Sequence, residues 1–127
     1  MIIAMTGSSS FIGQHLFNAL DKQGHEIRLL SWNLKQATYM EFSNANFSLT
    51  TILQGVDILY HCNAEMNDKS KMDIIHVEGT RQLVAAATGQ IDRWVQLSSV
   101  GAYGIRRQGC VTEETPEEPI GIYEKTK

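Results

Sequence analysis

Tyr123 and Lys127 stand four residues apart in Tyr123-Glu124-Lys125-Thr126-Lys127. On a helix that spacing puts both side chains on one face, one turn apart. A free phenol, with a pKa of about 10, is a poor base at neutral pH. An ammonium one turn away stabilises a phenolate and brings a phenol toward the range useful for general acid–base chemistry. Ser99, expected at the carboxyl end of a strand, stands where a hydroxyl can hydrogen-bond the same substrate oxygen. Taken in isolation, a tyrosine–lysine pair at this spacing is more often a coincidence on an exposed helix.

The second stretch able to do chemistry is near the start, from Ile2 through Thr6-Gly7-Ser8-Ser9-Ser10 to Leu16. A short apolar run of the kind a strand buried on both faces requires leads into a turn of small residues. A helical pattern follows, with Ile12, Leu16, Ala19 and Leu20 expected on its inner face and Gly24 at its end. Strand, tight turn and helix N-terminus together make a phosphate site, because unpaired N–H groups and the positive end of the helix dipole point over the turn. The dinucleotide-binding fingerprint asks for three glycines here. This chain keeps Gly7 and Gly13 and has Ser10 in the middle place. Serine adds a Cβ and a hydroxyl at the point of closest approach, yet it is small and can itself bond a phosphate. The competing reading is an ordinary strand-to-helix turn.

The remaining elements alternate. Glu26 to Leu30 reads as the second strand, ending in Ser31-Trp32-Asn33-Leu34-Lys35. A dinucleotide-binding domain reads the adenosine ribose at that place with an acid or a base; here there is no acid, and Lys35 is the first base. Trp32 fits either an adenine face or simple packing, and packing is the commoner role. Tyr39 to Phe42 suggests a short third strand, Asn44-Ala45-Asn46 a turn, and Leu49, Ile52 and Leu53 a helical turn or two before Gly55. Val56 to His61 is a strong strand followed by Cys62-Asn63-Ala64-Glu65. A helical run is expected from about Lys69 to Thr88, with Met72, Ile75, Leu83, Ala86 and Ala87 inward and Gly89 closing it. Trp94 to Ser98 makes the fifth strand. Beyond it, Glu113, Glu114, Glu117 and Glu118 belong to a turn-rich, solvated loop.

Strands alternating with helices predict an α/β fold: a doubly wound, Rossmann-type parallel sheet of about five strands in the order 3-2-1-4-5, with helices on both faces. In such sheets ligands bind beyond the carboxyl ends of the strands. Thr6 to Ser10, Ser31 to Asn33, His61 to Glu65 and Ser98-Ser99 would converge there.

The bulk properties fit one soluble domain spanning residues 1–127, with 43% hydrophobic and 20% charged residues. A net charge of −3 gives no electrostatic reason for a nucleic-acid partner, and the closest basic pair is Arg106-Arg107. No apolar run reaches membrane-spanning length and no signal-type segment precedes the first strand, so the expected location is the cytoplasm, away from membranes. Cys62 and Cys110 form no CxxC pair and are expected as free thiols, the first buried and the second accessible. The four histidines show no metal-ligand spacing, and no metal is expected.

Five spaced segments resemble the extended short-chain dehydrogenase/reductases, the NAD(P)-dependent sugar epimerase/dehydratase group. Thr6-Gly7-Ser8-Ser9-Ser10-Phe11-Ile12-Gly13 is similar to the family's TGxxGFIG turn. Val56 to Ala64 resembles its strand end "VD…H-x-A-A", with Asn63 in place of the first alanine. Val77-Glu78-Gly79-Thr80-Arg81-Gln82-Leu83 resembles the "N-V-x-G-T-x-N-L" helix, with His76 in place of its asparagine. Leu97 to Gly104 follows "SSxxVYG", and Tyr123 to Lys127 is a YxxxK. The resemblance implies NAD or NADP as cofactor, held across Gly7, Ser10, Phe11, Ile12 and Gly13, with Ser31, Trp32, Asn63 and Ala64 also at the cofactor. It implies Ser99, Tyr123 and Lys127 as catalytic residues, Lys127 also touching the cofactor ribose. Family members continue into a C-terminal substrate-binding region that this sequence does not include.

The leading expectation is therefore the nucleotide-binding portion of an NAD(P)-dependent epimerase, dehydratase or reductase acting on a nucleotide sugar or a similar carbonyl or alcohol. A non-catalytic Rossmann module, a dinucleotide sensor or protein-binding regulator, is the alternative; Ser10, the neutral end of strand two, Asn63 and His76 favour it. A flavodoxin-like binding domain fits the alternation but not the YxxxK segment. The 127-residue chain is expected to turn over little by itself, and an uncovered sheet face to favour a homo-oligomer.

Overall fold

The computed structural model describes residues 1–33, 38–41, 48–105 and 109–127. Its five strands are β1 (Ile2–Thr6), β2 (Glu26–Asn33), β3 (Thr38–Glu41), β4 (Ile58–His61) and β5 (Arg93–Gln96), in the order β3-β2-β1-β4-β5. The order agrees with the one expected from sequence. The direction of β3 does not: β2, β1, β4 and β5 run parallel, whereas β3 pairs antiparallel with β2, Leu30 opposite Glu41 and Asn33 opposite Thr38. The reason is chain length. Only residues 34–37 separate the two strands, and a parallel neighbour needs a crossover of about a dozen residues or more, so a hairpin is the connection available. Phe42, the Asn44-Ala45-Asn46 turn, Lys35 and Arg106-Arg107 lie outside the described residues.

Alternation along the strands builds two faces. Ala4, Leu30 and Leu59 turn to one side, where they form a buried core with Ile52 and Leu53 of α2 (Leu49–Leu53), Val56, and Leu83 and Ala87 of α4 (Gly79–Ala87). A leucine fully withdrawn from water contributes about 1.5–3 kcal/mol, and Leu53, Leu59 and Leu83 are each 0% exposed. Ile3 and Met5 turn to the opposite side and are also fully buried. On that side lies α1 (Phe11–Lys22), whose Phe17 shares a cleft with Leu29 of β2.

Helix α1 packs through Gly13, Leu16, Phe17 and Leu20, while Ile12 and Ala19, expected inside, are exposed. Gly13 sets this rotation. A Cβ there would stand 2.0 Å from the Gly7 carbonyl oxygen, so the face lacking a side chain is the one pressed against the turn. The helical run expected from Lys69 to Thr88 is present in three parts: α3 (Lys69–Met72), a π-helical segment Asp73–Glu78, and α4. The Gly79 N–H reaches back five residues to the Ile74 carbonyl, the widened turn that recurs at functional sites. Val100–Tyr103 forms a 3-10 turn, and α5 (Ile122–Thr126) is the last helix. Among the described residues, no helix is long and apolar enough to cross a membrane.

Candidate functional site

The turn after β1 is fixed from beneath by Thr6. Its Oγ1 accepts the N–H groups of Cys62 at 3.1 Å and Asn63 at 3.2 Å, and its own proton points to His61 Nδ1 at 2.7 Å. With Nδ1 accepting, the proton of a neutral His61 ring sits on Nε2, which donates to Thr80 Oγ1 on α4 at 2.9 Å. Burial, with smaller contributions from the charges of Lys127 and His76, lowers the His61 pKa to about 4. The ring is therefore neutral at physiological pH, as this network requires. It joins β1, β4 and α4 beneath the turn.

Gly7 sits above that network with φ of 71°, and a Cβ on it would lie 2.6 Å from the Cys62 carbonyl and 2.7 Å from Asn63 N. Both its left-handed backbone and its closeness to the β4 end require glycine. Ser10 behaves differently from the expectation that its hydroxyl occupies the point of closest approach. The hydroxyl is engaged by the main chain, accepting the Gly13 N–H at 3.0 Å and donating to the Gly7 carbonyl at 2.8 Å, which makes Ser10 the N-cap of α1. Gln14 N–H bonds the Ser10 carbonyl at 2.9 Å. Phe11 and Ile12, in the first turn, have N–H groups with no acceptor inside the helix.

Over this turn lies a pocket of about 410 Å³. It is lined by Gly7, Ser10, Phe11 and Ile12 from the turn and helix, by Asn63 and Ala64 from the end of β4, and by Tyr123 and Lys127 from the last helix. Gly13 stands behind it as the helix–turn contact. The Lys127 ammonium donates to the Asn63 carbonyl at 2.9 Å, and burial holds its pKa below the ordinary lysine range. The Tyr123 ring meets His76 edge-on, with centroids 5.4 Å apart.

Besides Gly13, three of the residues named from sequence stand apart from the lining. Ser99 caps the 3-10 turn, its hydroxyl accepting the Gly101 N–H at 3.2 Å, and its neighbour Ser98 is the serine that lines the pocket. Ser31 and Trp32 lie on β2, and Trp32 packs against the buried core cluster. Ser9, Cys62 and Ser98, which also line the pocket, belong to the strand-end stretches expected to converge there, whereas Met66 and Leu97 line it without having been singled out. Their sequence signal is position alone: Leu97 follows directly on β5, and Met66 lies in the stretch between β4 and α3.

The sequence profile of the NAD dependent epimerase/dehydratase family matches residues 3–127. Among curated proteins, sterol demethylase protein B of Methylococcus capsulatus is 30% identical over 145 aligned residues, covering 100% of this chain and 44% of its own length. Among solved structures, a short-chain dehydrogenase/reductase superfamily protein of Agrobacterium tumefaciens with bound NAD superposes with a TM-score of 0.81 at 27% identity, covering 100% of this chain and 42% of the other. The dTDP-glucose 4,6-dehydratase of Streptomyces venezuelae, with NAD bound, gives a TM-score of 0.81 at 24% identity, covering 100% of this chain and 48% of the other. The chain thus spans less than half the length of these relatives. With its profile match running from β1 to Lys127, the chain belongs to the NAD dependent epimerase/dehydratase family.

Proposed function

We propose that this chain is the dinucleotide-binding portion of an NAD(P)-dependent epimerase, dehydratase or reductase whose substrate is a nucleotide sugar or a similar carbonyl or alcohol. The observation carrying this reading is that Tyr123 and Lys127 line the same pocket as Gly7, Phe11 and Ile12. A phosphate-type turn and an acid–base pair share one cavity.

The residues present fit a dinucleotide. Gly7 lets the turn close onto the end of β4, and the Phe11 and Ile12 N–H groups, at the positive end of a helix of 12 residues, suit a pyrophosphate. In this reading Lys127 also bonds a ribose hydroxyl. When bound, a nicotinamide supplies the hydride acceptor or donor. In this reading Tyr123 carries the proton to or from the substrate oxygen, and Lys127, less hydrated than a surface lysine, stands one turn away from it. Ser98, at the β5 end and in the lining, supplies a hydroxyl to orient that oxygen.

The non-catalytic module remains the second reading, and one observation favours it: the Ser99 hydroxyl is engaged with Gly101 N–H, and Ser99 is not among the residues lining the pocket. Calorimetric titration of the chain with NAD and with NADP tests the binding that both readings share. Weak binding with little preference between the two is expected, because β2 carries no acid at its end. No heat with either at millimolar concentration would remove the dinucleotide from the account. To separate the two readings, turnover of nucleotide sugars by the open reading frame extended beyond Lys127 is measured; its absence, with binding intact, supports the module.

A further inference from the structure

His76 is 4% exposed, at the π-helical segment, and both its ring nitrogens are engaged with parts of the chain remote from it. Nε2 accepts the Glu65 backbone N–H at 2.8 Å, and Nδ1 lies 2.8 Å from Thr126 Oγ1. A nitrogen that accepts a backbone N–H carries no proton, so the neutral ring holds its proton on Nδ1 and donates it to Thr126. The Thr126 hydroxyl passes its own proton to the Ile122 carbonyl at 2.8 Å. The tautomer is thus opposite to that of His61, whose proton sits on Nε2.

The two bonds matter because of what they join. Helix α5 has five residues, far too few to persist without tertiary contacts. Its Tyr123, and Lys127 directly after it, nevertheless line the pocket. Two links tie α5 and Lys127 to the segment after β4: Lys127 Nζ to the Asn63 carbonyl, and Thr126 through the His76 ring to the Glu65 N–H. The ring also supports Tyr123 edge-on. We propose that His76 is a positioning residue: as the Nδ1–H tautomer it bridges the Glu65 N–H and the Thr126 hydroxyl, and so holds α5, with Tyr123 and Lys127, against the β4 end of the pocket. What that geometry serves rests on the function proposed above; the tether itself does not.

The ionisable groups around the ring agree with a neutral bridge. The loss of hydration on burial and, after it, the Lys127 ammonium disfavour a positive charge on the ring, whereas Glu65 favours it, and the pKa of His76 is lowered on balance. His61, the other histidine coupled to it, is held neutral by its own network.

The test is made by NMR on the isotope-labelled 127-residue chain without ligand. The His76 nitrogen shifts should report the Nδ1–H tautomer at pH 7, and the Lys127 side chain should titrate below an ordinary lysine. Thr126→Val keeps the shape and removes the hydroxyl. It should move the Lys127 titration up toward that of a free lysine and speed amide exchange at Glu65 and Lys127 by about tenfold. Thr126→Ser should restore both, and His76→Phe should match Thr126→Val, with the double variant no worse than either. An Nε2–H tautomer would overturn the proposal. So would a folded Thr126→Val chain with unchanged Lys127 titration and exchange, a measurement that stands even where His76→Phe fails to fold. A chain that shows the tether but binds no dinucleotide loses only the cofactor reading.

Discussion

Lys127 donates from Nζ to the main-chain carbonyl of Asn63 at 2.9 Å, which brings the end of the YxxxK segment onto the loop following β4. Sixty-four positions separate the two residues in sequence. The contact makes one cavity of the glycine turn and the tyrosine–lysine pair, and the properties of that cavity can be tested residue by residue.

Stability should fall as pH is lowered from neutral toward 4. The unfolded chain takes up a proton on His61 near 6.5, whereas the folded chain resists until about 4. Between those values the unfolded state binds more protons, so the stabilisation is complete above about 6.5 and is lost as pH drops through the folded pKa. For His61 the window is worth on the order of 3 kcal/mol. His76, shifted in the same direction, adds to it. Denaturant unfolding at intervals from pH 4 to 7.5 checks this; His61→Gln should flatten the slope, and a wild-type slope of the opposite sign would contradict the assignment.

Ser10→Ala removes the cap of α1 and should cost about 1 kcal/mol in chemical denaturation, whereas Ser10→Gly should cost only a few tenths. Glycine also removes a Cβ from the pocket lining. The glycine variant should therefore bind dinucleotide at least as tightly as wild type by calorimetry. Equal stability losses for the two variants would mean that the hydroxyl does not cap the helix.

Gly7→Ala should be far more damaging. Its Cβ would meet the Cys62 main chain at 2.6 Å in a left-handed conformation, and the combined strain and displacement should cost about 2–4 kcal/mol. Gly24→Ala, also at positive φ but with nothing within 4 Å of the added Cβ, serves as the control, with a loss of about 1 kcal/mol. Thermal melts of the pair separate backbone strain from the clash.

Cys110 is exposed and Cys62 buried. Burial raises the pKa of the Cys62 thiol, with the nearby Lys127 charge opposing, so one thiol should react quickly with a small disulfide reagent and the second only after denaturation. Bound dinucleotide should slow Cys62 further, since Cys62 lines the same pocket. Two fast thiols in the native chain would place the end of β4 wrongly.

Much of this architecture was legible because its signals are local. The apolar run of β1, the small-residue turn and the YxxxK spacing each declare themselves over a few residues, and the strand order follows from handedness rules once the elements are recognised. What escaped depends on contacts between distant segments. The direction of β3 follows from a loop too short for a crossover. Ile12 looked like a core residue by period, but Gly13 dictates the rotation of α1 through its contact with Gly7. The Ser10 hydroxyl, which from sequence could crowd a phosphate or bond it, caps the helix. Ser98 and Ser99 are neighbours in sequence, and only the fold tells which one faces the pocket. His76 was visible as a departure from the family's asparagine; its bridge to Thr126 spans 50 positions and has no sequence signature.

The most direct test of the central claim is one titration of labelled chain with NAD, followed by amide NMR. The claim is that the turn and the tyrosine–lysine pair serve one bound dinucleotide. It predicts that Phe11, Ile12 and Lys127 shift together and fit a single dissociation constant, while residues at the opposite end of β5, such as Asp92 and Arg93, stay still. Shifts confined to the turn, with Lys127 unmoved at saturation, would contradict it.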